Sequence, residues 1–591
     1  MEYIDLKVKT LREHLYYIVE HYSDKLAVAG LANGVEYTYR QFYDQIQRVK
    51  KVLLQDFGFK KGDKVAIWSE NMPQWGVAYF AITTAGLVGV PLLPDFSSFE
   101  VQNILAHSEA KAIFVSKKQL YKFKDVKFDF DKVILIDDFT LFTDLKNFDT
   151  KKNRQLLSQP QSPSEEPPVY EDDLALIIYT SGTTGKSKGV MLTHKNIVSN
   201  VLDVQYVQMI TSEERFLSIL PLSHSYENTV GFLAPLLHGA SIYYLSKPPT
   251  ASYLLPAMQK VKPTLMLVVP LIVEKIYRKK ILPEINANFF TRNLYKTPLG
   301  RKLINKKAGK KLHEIFGGKL KFFGVGGAKL DPEVERFMRD AHFPYAVGYG
   351  LTETGPLLAG ANPQEIRFQS CGKPMRSVTL KLKDPDPVTG EGEVIAKGPN
   401  IMKGYYKEPE LTKSVFTEDG WFRTGDLGVF DKDGFLYLKG RIKNVIIGPS
   451  GENIYPEEIE AIINSFEHVN ESVVVERGGK LVALVHFDFE AIEKKAEEWF
   501  LAQKKKTTDF FKHLSHRKDK ETEQVADDKV KENIVNEYMN YLINSLKQYV
   551  NSRVNKTSRI QDVVVQKEPF VKTATKKIKR FLYTERKNTK K

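Results

Sequence analysis

A doubly wound α/β body with a small β subdomain, followed by a smaller α+β C-terminal domain, is the fold class that the sequence predicts. Three observations carry it. Helix and strand patterns alternate through roughly the first 375 residues, short strands separated by turns replace them up to about residue 440, and a mixed pattern follows. At 591 residues the chain exceeds the roughly 250–300 at which one core stops growing. The expected domains are residues 1–440 and residues 441–591.

The elements follow in order. Thr38-Tyr39-Arg40-Gln41 reads as a capping box, with Phe42, Ile46, Val49 and Leu53 behind it at helical spacing. The turn Lys61-Gly62-Asp63 feeds a short strand, VAIW. Asn71 to Pro94 carries no charge, yet Pro73, Asn71, Gln74, Pro91 and Pro94 make it a buried helix running into a strand rather than a membrane span. Residues 158–170, rich in Pro and Ser, form a linker before the apolar strand LALIIYT. LKFFGVGGA is a strand entering a turn, after which Asp331 caps a helix with Pro332 in its first position. WFRTGDLGVF and FLYLKG, joined by Asp431-Lys432-Asp433-Gly434, are strands of the β subdomain. Residues 490–550 are charged and helix-prone.

Composition narrows the function. Hydrophobic residues at 42% exclude wholesale disorder. Cys371 is the only cysteine, which rules out an internal disulfide and favours a reducing compartment. The first twenty residues have no secretory pattern, so a cytoplasmic location is expected. The net charge of +15 points to partners bearing phosphate. It is concentrated between Ile276 and Lys311, where eleven Lys/Arg face one acid, Glu284, and again between Lys504 and Lys520 and after Thr573. Such runs are ordinarily solvated faces, but the first also contains many apolar residues. Peripheral contact with an anionic membrane, at its inner face, is therefore a companion expectation. No recognisable nucleic-acid-binding module accompanies the charge, so nucleic acid is not expected as a partner.

The strongest motif is Tyr179-Thr180-Ser181-Gly182-Thr183-Thr184-Gly185-Lys186-Ser187-Lys188-Gly189. A loop of glycines and hydroxyl residues straight after an apolar strand offers backbone N–H groups and hydroxyls to a polyphosphate, and its lysines add charge. It is not a Walker A loop, because Thr180 stands where that pattern needs glycine.

That loop resembles the signature of the adenylate-forming (AMP-binding) superfamily of acyl-CoA synthetases, luciferases and peptide-synthetase adenylation domains. PLSHSYENTVG from Pro221, Gly326-Gly327-Ala328, GYGLTETG from Gly348, WFRTGDLG from Trp421, GRIKNVIIGPSGENIYPEEIE from Gly440 and TATKKIKR from Thr573 follow in that family's order. The resemblance covers roughly residues 10–583. It implies ATP, Mg²⁺ and coenzyme A, with residues 1–440 as the adenylation domain and residues 441–591 as a mobile one. The loop residues 180–186 and Lys188 would bind ATP. Glu353, with Thr184, would hold the metal and act in catalysis. Tyr349 would stack on adenine, with Gly350, Thr352, Gly326, Gly327 and Ala328 around the nucleotide. Asp426 would take the ribose hydroxyls and Arg441 would touch the nucleotide. Lys443 matches the hinge, and Gly451 a loop on the pantetheine path. Register against Lys-Ile-x-Arg chooses Lys577 as the adenylation lysine, with Lys576 and Lys579 as basic neighbours. His224 matches a position beside the substrate carboxylate.

PLSHSYE and the segment VVPLIVEKIYRKKI resemble the long-chain acyl-CoA synthetases, so a fatty acid is the expected substrate. Ser223 and His224 occupy the region where peptide-synthetase domains place an aspartate for an amine. Aryl, medium-chain and carrier-protein ligases are the neighbouring alternatives. A non-catalytic binder of nucleic acid or membrane is the alternative of a different class. Chain length and oligomeric state are not legible.

Overall fold

The structure, a computed structural model, describes residues 6–128, 130, 132–142, 154–155, 165–181, 187–245, 247, 249–448, 453–507, 520–573 and 577–584. It divides into two compact units: Met1–Thr424 with Gly428–Leu438, and Gly425–Leu427 with Lys439–Lys591.

Two large sheets build the first unit. In one, Tyr345–Val347, Phe322–Val325, Leu265–Val268, Arg215–Ser218, Ser241–Tyr244 and Leu26–Gly30 lie side by side and parallel, and Glu36–Thr38 closes an edge in the antiparallel sense. In the other, Leu174–Ser181, Val88–Leu92, Lys64–Trp68, Ala110–Val115 and Lys132–Leu135 are parallel. Antiparallel strands flank them on both sides, Ser187–Thr193 and Gly404–Tyr405 on one and Thr140–Leu141 and Arg154–Gln155 on the other. Parallel strands need helical crossovers, which is why the sequence alternated.

The charge-free segment is the helix Pro73–Thr84 and the strand Val88–Leu92, every residue of both buried. Trp75 stacks on Tyr79 with centroids 5.3 Å apart, and Phe80 meets Phe232 at 5.6 Å. Gly76 permits that closeness, since a Cβ there would come within 3.0 Å of both Phe42 and Phe232. Thr38 and Gln41 make the capping box of the helix Tyr39–Lys51, and Phe42, Ile46, Val49 and Leu53 are all buried. Among the described residues no helix is long and apolar enough to cross a membrane.

Four strands, Thr379–Lys383, Gly392–Lys397, Phe422–Phe430 and Leu436–Arg441, form the small β sheet. The second unit has a three-stranded sheet of Val469–Arg477, Lys480–Phe487 and Asp562–Val565. Its alternation sends Val474 and Ala483 to one face, with Ile459, Ile463 and Leu546, and Val473, Val475 and Leu484 to the other. The helix-prone stretch supplies Phe489–Thr507 and Lys520–Asn551, and Tyr538, Leu542, Leu546 and Val550 recur at four-residue spacing into that core.

Candidate active site

The strands Leu174–Ser181 and Ser187–Thr193, on either side of residues 182–186, pair antiparallel. Ser181 pairs with Ser187, Thr180 with Lys188 and Tyr179 with Gly189. Gly182, Thr183, Thr184, Gly185 and Lys186 lie outside the described residues, as do Gly451 and Lys576. On its far edge Ser187–Thr193 pairs with Gly404–Tyr405, Val190 opposite Tyr405. That register sets the Lys188 ammonium over the Tyr405 ring, 5.3 Å from its centroid. The Tyr405 hydroxyl in turn donates to Oε1 of Glu353 at 2.8 Å. One tyrosine thus ties the loop's lysine to the acidic residue of the distant GYGLTETG motif.

Glu353 is held from several directions. It sits in the 3₁₀ turn Thr352–Thr354, whose Glu353 carbonyl accepts the Met402 N–H at 2.9 Å. Two fully buried amides hold the turn: Asn200 and Asn400 both donate to the Thr354 carbonyl, at 3.2 and 2.8 Å. Tyr349–Gly350, just upstream, pairs with Leu357–Gly360. Tyr349 is buried, while Gly350 is exposed and packs so tightly that a Cβ would lie 2.0 Å from the Pro356 carbonyl oxygen. A larger residue could not take that place.

Gly326, Gly327 and Ala328 follow the strand Phe322–Val325; Gly327 and Ala328 are exposed. The Tyr226 ring lies against this turn, since a Cβ on Gly326 would meet its Cε1 at 2.9 Å. Tyr226 and His224 share one helix start, where the Tyr226 N–H donates to His224 Nδ1 at 3.2 Å. In the neutral ring that places the proton on Nε2.

Glu227, one residue past Tyr226, is fully buried. Ser218 Oγ donates to its Oε1 at 2.5 Å, and Asn71 holds Ser218 at 3.0 Å. Among the described residues its Oε2 has no hydrogen-bond partner. Burial pushes the carboxyl from 4.5 up to about 8, with the Ser218 bond opposing. The folded protein therefore binds this proton more tightly than the unfolded chain. The resulting stability is fully present below about pH 4.5 and is lost as pH rises through about 8. Unfolding free energies between pH 5 and 8 should fall more steeply for the wild type than for Glu227→Gln, by up to about 1.4 kcal/mol per pH unit. Equal slopes would contradict a neutral Glu227.

In the second unit Asp426 is buried and its Oδ1 meets Arg441 Nε at 2.6 Å, so these two nucleotide candidates pair with each other. Lys443 is exposed in the 3₁₀ turn Ile442–Asn444. Lys577 is exposed beside the antiparallel bridge of Lys572 and Ile578: the Thr573 N–H donates to its carbonyl at 2.8 Å and its own N–H to Thr573 Oγ1 at 3.1 Å. Arg580 of the same motif pairs with buried Glu460 at 2.5 Å.

Among the described residues no group of three or more His, Cys, Asp or Glu could hold a metal. Tyr405 links the Glu353 carboxylate to Lys188 of the strand Ser187–Thr193. That carboxylate fits magnesium, a hard cation that takes one or two carboxylates and completes its shell with phosphate and water. The sequence reading did not assign Tyr405, Asn200, Asn400 or Glu227. Glu227 stood inside the motif PLSHSYENTVG, but only strand register and burial reveal the partners of Tyr405 and Glu227.

The profile of the family described as "AMP-binding enzyme" matches residues 16–406. Fatty acyl-CoA synthetase A of Dictyostelium discoideum is 29% identical over 518 residues, 82% of this chain and 76% of that protein. 4-Coumarate–CoA ligase 1 of Petroselinum crispum is 30% identical over 485 residues, covering 79% and 81%. Among solved structures, o-succinylbenzoate CoA synthetase from Bacillus subtilis, in complex with its acyl-adenylate intermediate, superposes with a TM-score of 0.69 at 21% identity, covering 98% of both chains. The chain belongs to the AMP-binding enzyme family.

Proposed function

We propose that the enzyme activates a long-chain fatty acid through an acyl-adenylate and transfers it to coenzyme A, with release of AMP and pyrophosphate. The coarser activity, that of an adenylate-forming acid–CoA ligase, follows from family membership and from the relatives above. Carboxylates are poor electrophiles because oxide or hydroxide must leave. Attack of the carboxylate oxygen on the α-phosphorus of ATP expels pyrophosphate and leaves an acyl group on a good leaving group. Thiolate attack then breaks the acyl–AMP bond and forms the thioester.

The first step gathers negative charge on phosphate, so fixed positive groups and a divalent cation lower its barrier. We assign charge stabilisation to Lys188, to loop residues 180–186 and to Lys577. Glu353 and Thr184 would hold magnesium, which supplies charge neutralisation on the phosphates when bound. Tyr349, Gly350, Thr352 and residues 326–328 are assigned to the nucleotide, together with Asp426 and Arg441. Lys443 is assigned as the hinge between half-reactions and Gly451 to the pantetheine path. Residues 1–440 and 441–591 would be the adenylation and mobile domains.

The observation that carries the choice of acid is Pro221-Leu222-Ser223-His224-Ser225-Tyr226-Glu227, the long-chain version of this motif, whose Glu227 is buried as a neutral acid would be. Similarity to a fatty acyl-CoA synthetase supports the same reading. The Petroselinum crispum 4-coumarate–CoA ligase favours an aryl acid as the second reading. Pyrophosphate release by purified protein with ATP and CoA, across acids of two to twenty carbons and 4-coumarate, separates the two. Turnover should be greatest above twelve carbons. A maximum with acetate, 4-coumarate or an amino acid would reject the long-chain assignment.

A further inference from the structure

The basic segment between Ile276 and Lys311 takes no part in the site just described. Its core-facing residues are now distinguishable from its surface. Ile281 and Ile285 are buried, Tyr295 hydrogen-bonds Tyr277, and Ile304 packs on the core, so these apolar residues of the segment face inward. The helix Pro298–Ile315 turns Gly300, Asn305, Gly309 and Leu312 inward. A Cβ on Gly309 would lie 2.4 Å from that of Ala341, so the inner side is closely packed.

What remains outside is unusual for a solvated face. Phe289, Phe290, Leu294, Leu299 and Leu303 are 65, 84, 49, 71 and 59% exposed. They come from the short helix Phe289–Tyr295 and the start of the next one, and Leu294 packs on Gly300, which joins the two helices at this corner. Lys302, Lys306, Lys307 and Lys310 are exposed on the same outward side of Pro298–Ile315. Of the segment's eleven cations, Arg278, Arg301 and Lys311 have acidic partners, Asp331, Asp340 and Glu284. The four outward lysines have none among the described residues.

We propose that this corner docks on an anionic lipid bilayer, with the five apolar side chains entering the headgroup region and the outward lysines resting on lipid phosphates. Charge selects the occupant. A second copy would bring like charges together, and a nucleic acid offers nothing to the exposed leucines. Basic residues and an apolar face strengthen binding to an anionic leaflet together. The inference is independent of which acid the enzyme activates.

Purified full-length protein should co-sediment with vesicles of phosphatidylglycerol and phosphatidylcholine at low salt, bind far less at high salt, and bind pure phosphatidylcholine weakly. The charge reversal Lys302→Glu/Lys306→Glu/Lys307→Glu should lower the partition coefficient about a hundredfold or more. Phe290→Ser/Leu299→Ser/Leu303→Ser should lower it about tenfold or more. Both variants should retain pyrophosphate release with acid presented in detergent, which shows that they fold. Equal binding to neutral and anionic vesicles, wild-type binding by both variants, or no binding by the wild type would overturn the proposal. So would concentration-dependent dimers that the apolar variant abolishes, or retention of duplex DNA in place of vesicles.

Discussion

Lys577→Ala should lower acyl-adenylate synthesis by roughly 10²–10³-fold while leaving thioester formation from supplied acyl-adenylate near the wild-type rate. A preorganised cation aimed at charge that develops during phosphoryl attack contributes about 2.7–4 kcal/mol, by analogy with oxyanion donors. The second half-reaction leaves charge on the phosphate of the departing AMP, but the hinge assigned to Lys443 would have carried Lys577 away from it by then. The substitution should also be clean. This segment is anchored by the Thr573 N–H donating to the Lys577 carbonyl, by the Lys577 N–H donating to Thr573 Oγ1, and by Ile578, which packs on the cluster of Val473, Val475 and Leu484. Separate assays of the two half-reactions, with thermal unfolding as control, give the answer. Should Lys576→Ala produce this split and Lys577→Ala not, the register assigned here is wrong by one residue.

Glu353→Gln should cost a similar factor in adenylation, again roughly 10²–10³. Glutamine keeps an oxygen that can accept from Tyr405 and nearly preserves shape, so the turn held by Asn200 and Asn400 should persist. What is lost is the negative charge that would hold magnesium, so raising Mg²⁺ should restore part of the rate. Tyr405→Phe removes a hydrogen bond to a charged group, worth about 1.5–3 kcal/mol, and should slow the same step by about tenfold or more without a gain from added Mg²⁺. Adenylation by Glu353→Gln at the wild-type rate would remove Glu353 from the metal site.

Much of the fold could be read because its determinants are local. The box of Thr38 and Gln41, the cap Asp331 with Pro332, and the period of Phe42, Ile46, Val49 and Leu53 each act within one or two turns. The charge-free stretch from Asn71 shows why burial on every side erases periodicity, since all twelve residues of Pro73–Thr84 are buried. The site was legible as residue types but not as connections. Lys188 and Glu353 were both expected at the phosphates, yet Tyr405, which joins them, depends on pairing between strands more than two hundred residues apart. Asp426 and Arg441 were each expected to face the nucleotide, and their bond to one another could not be read from spacing. The acid at Glu227 was quoted within a motif without a role, because its neutrality comes from burial, and burial is set by the whole core.

The central claim is that carboxylate activation proceeds through an adenylate. The most direct test omits coenzyme A. Purified protein incubated with ATP, Mg²⁺ and hexadecanoic acid, then analysed by mass spectrometry, should yield hexadecanoyl-AMP and an equal amount of pyrophosphate. Adding coenzyme A should convert that adduct to hexadecanoyl-CoA and free AMP. ADP and inorganic phosphate as products, or AMP formed at a rate indifferent to the acid, would contradict the account.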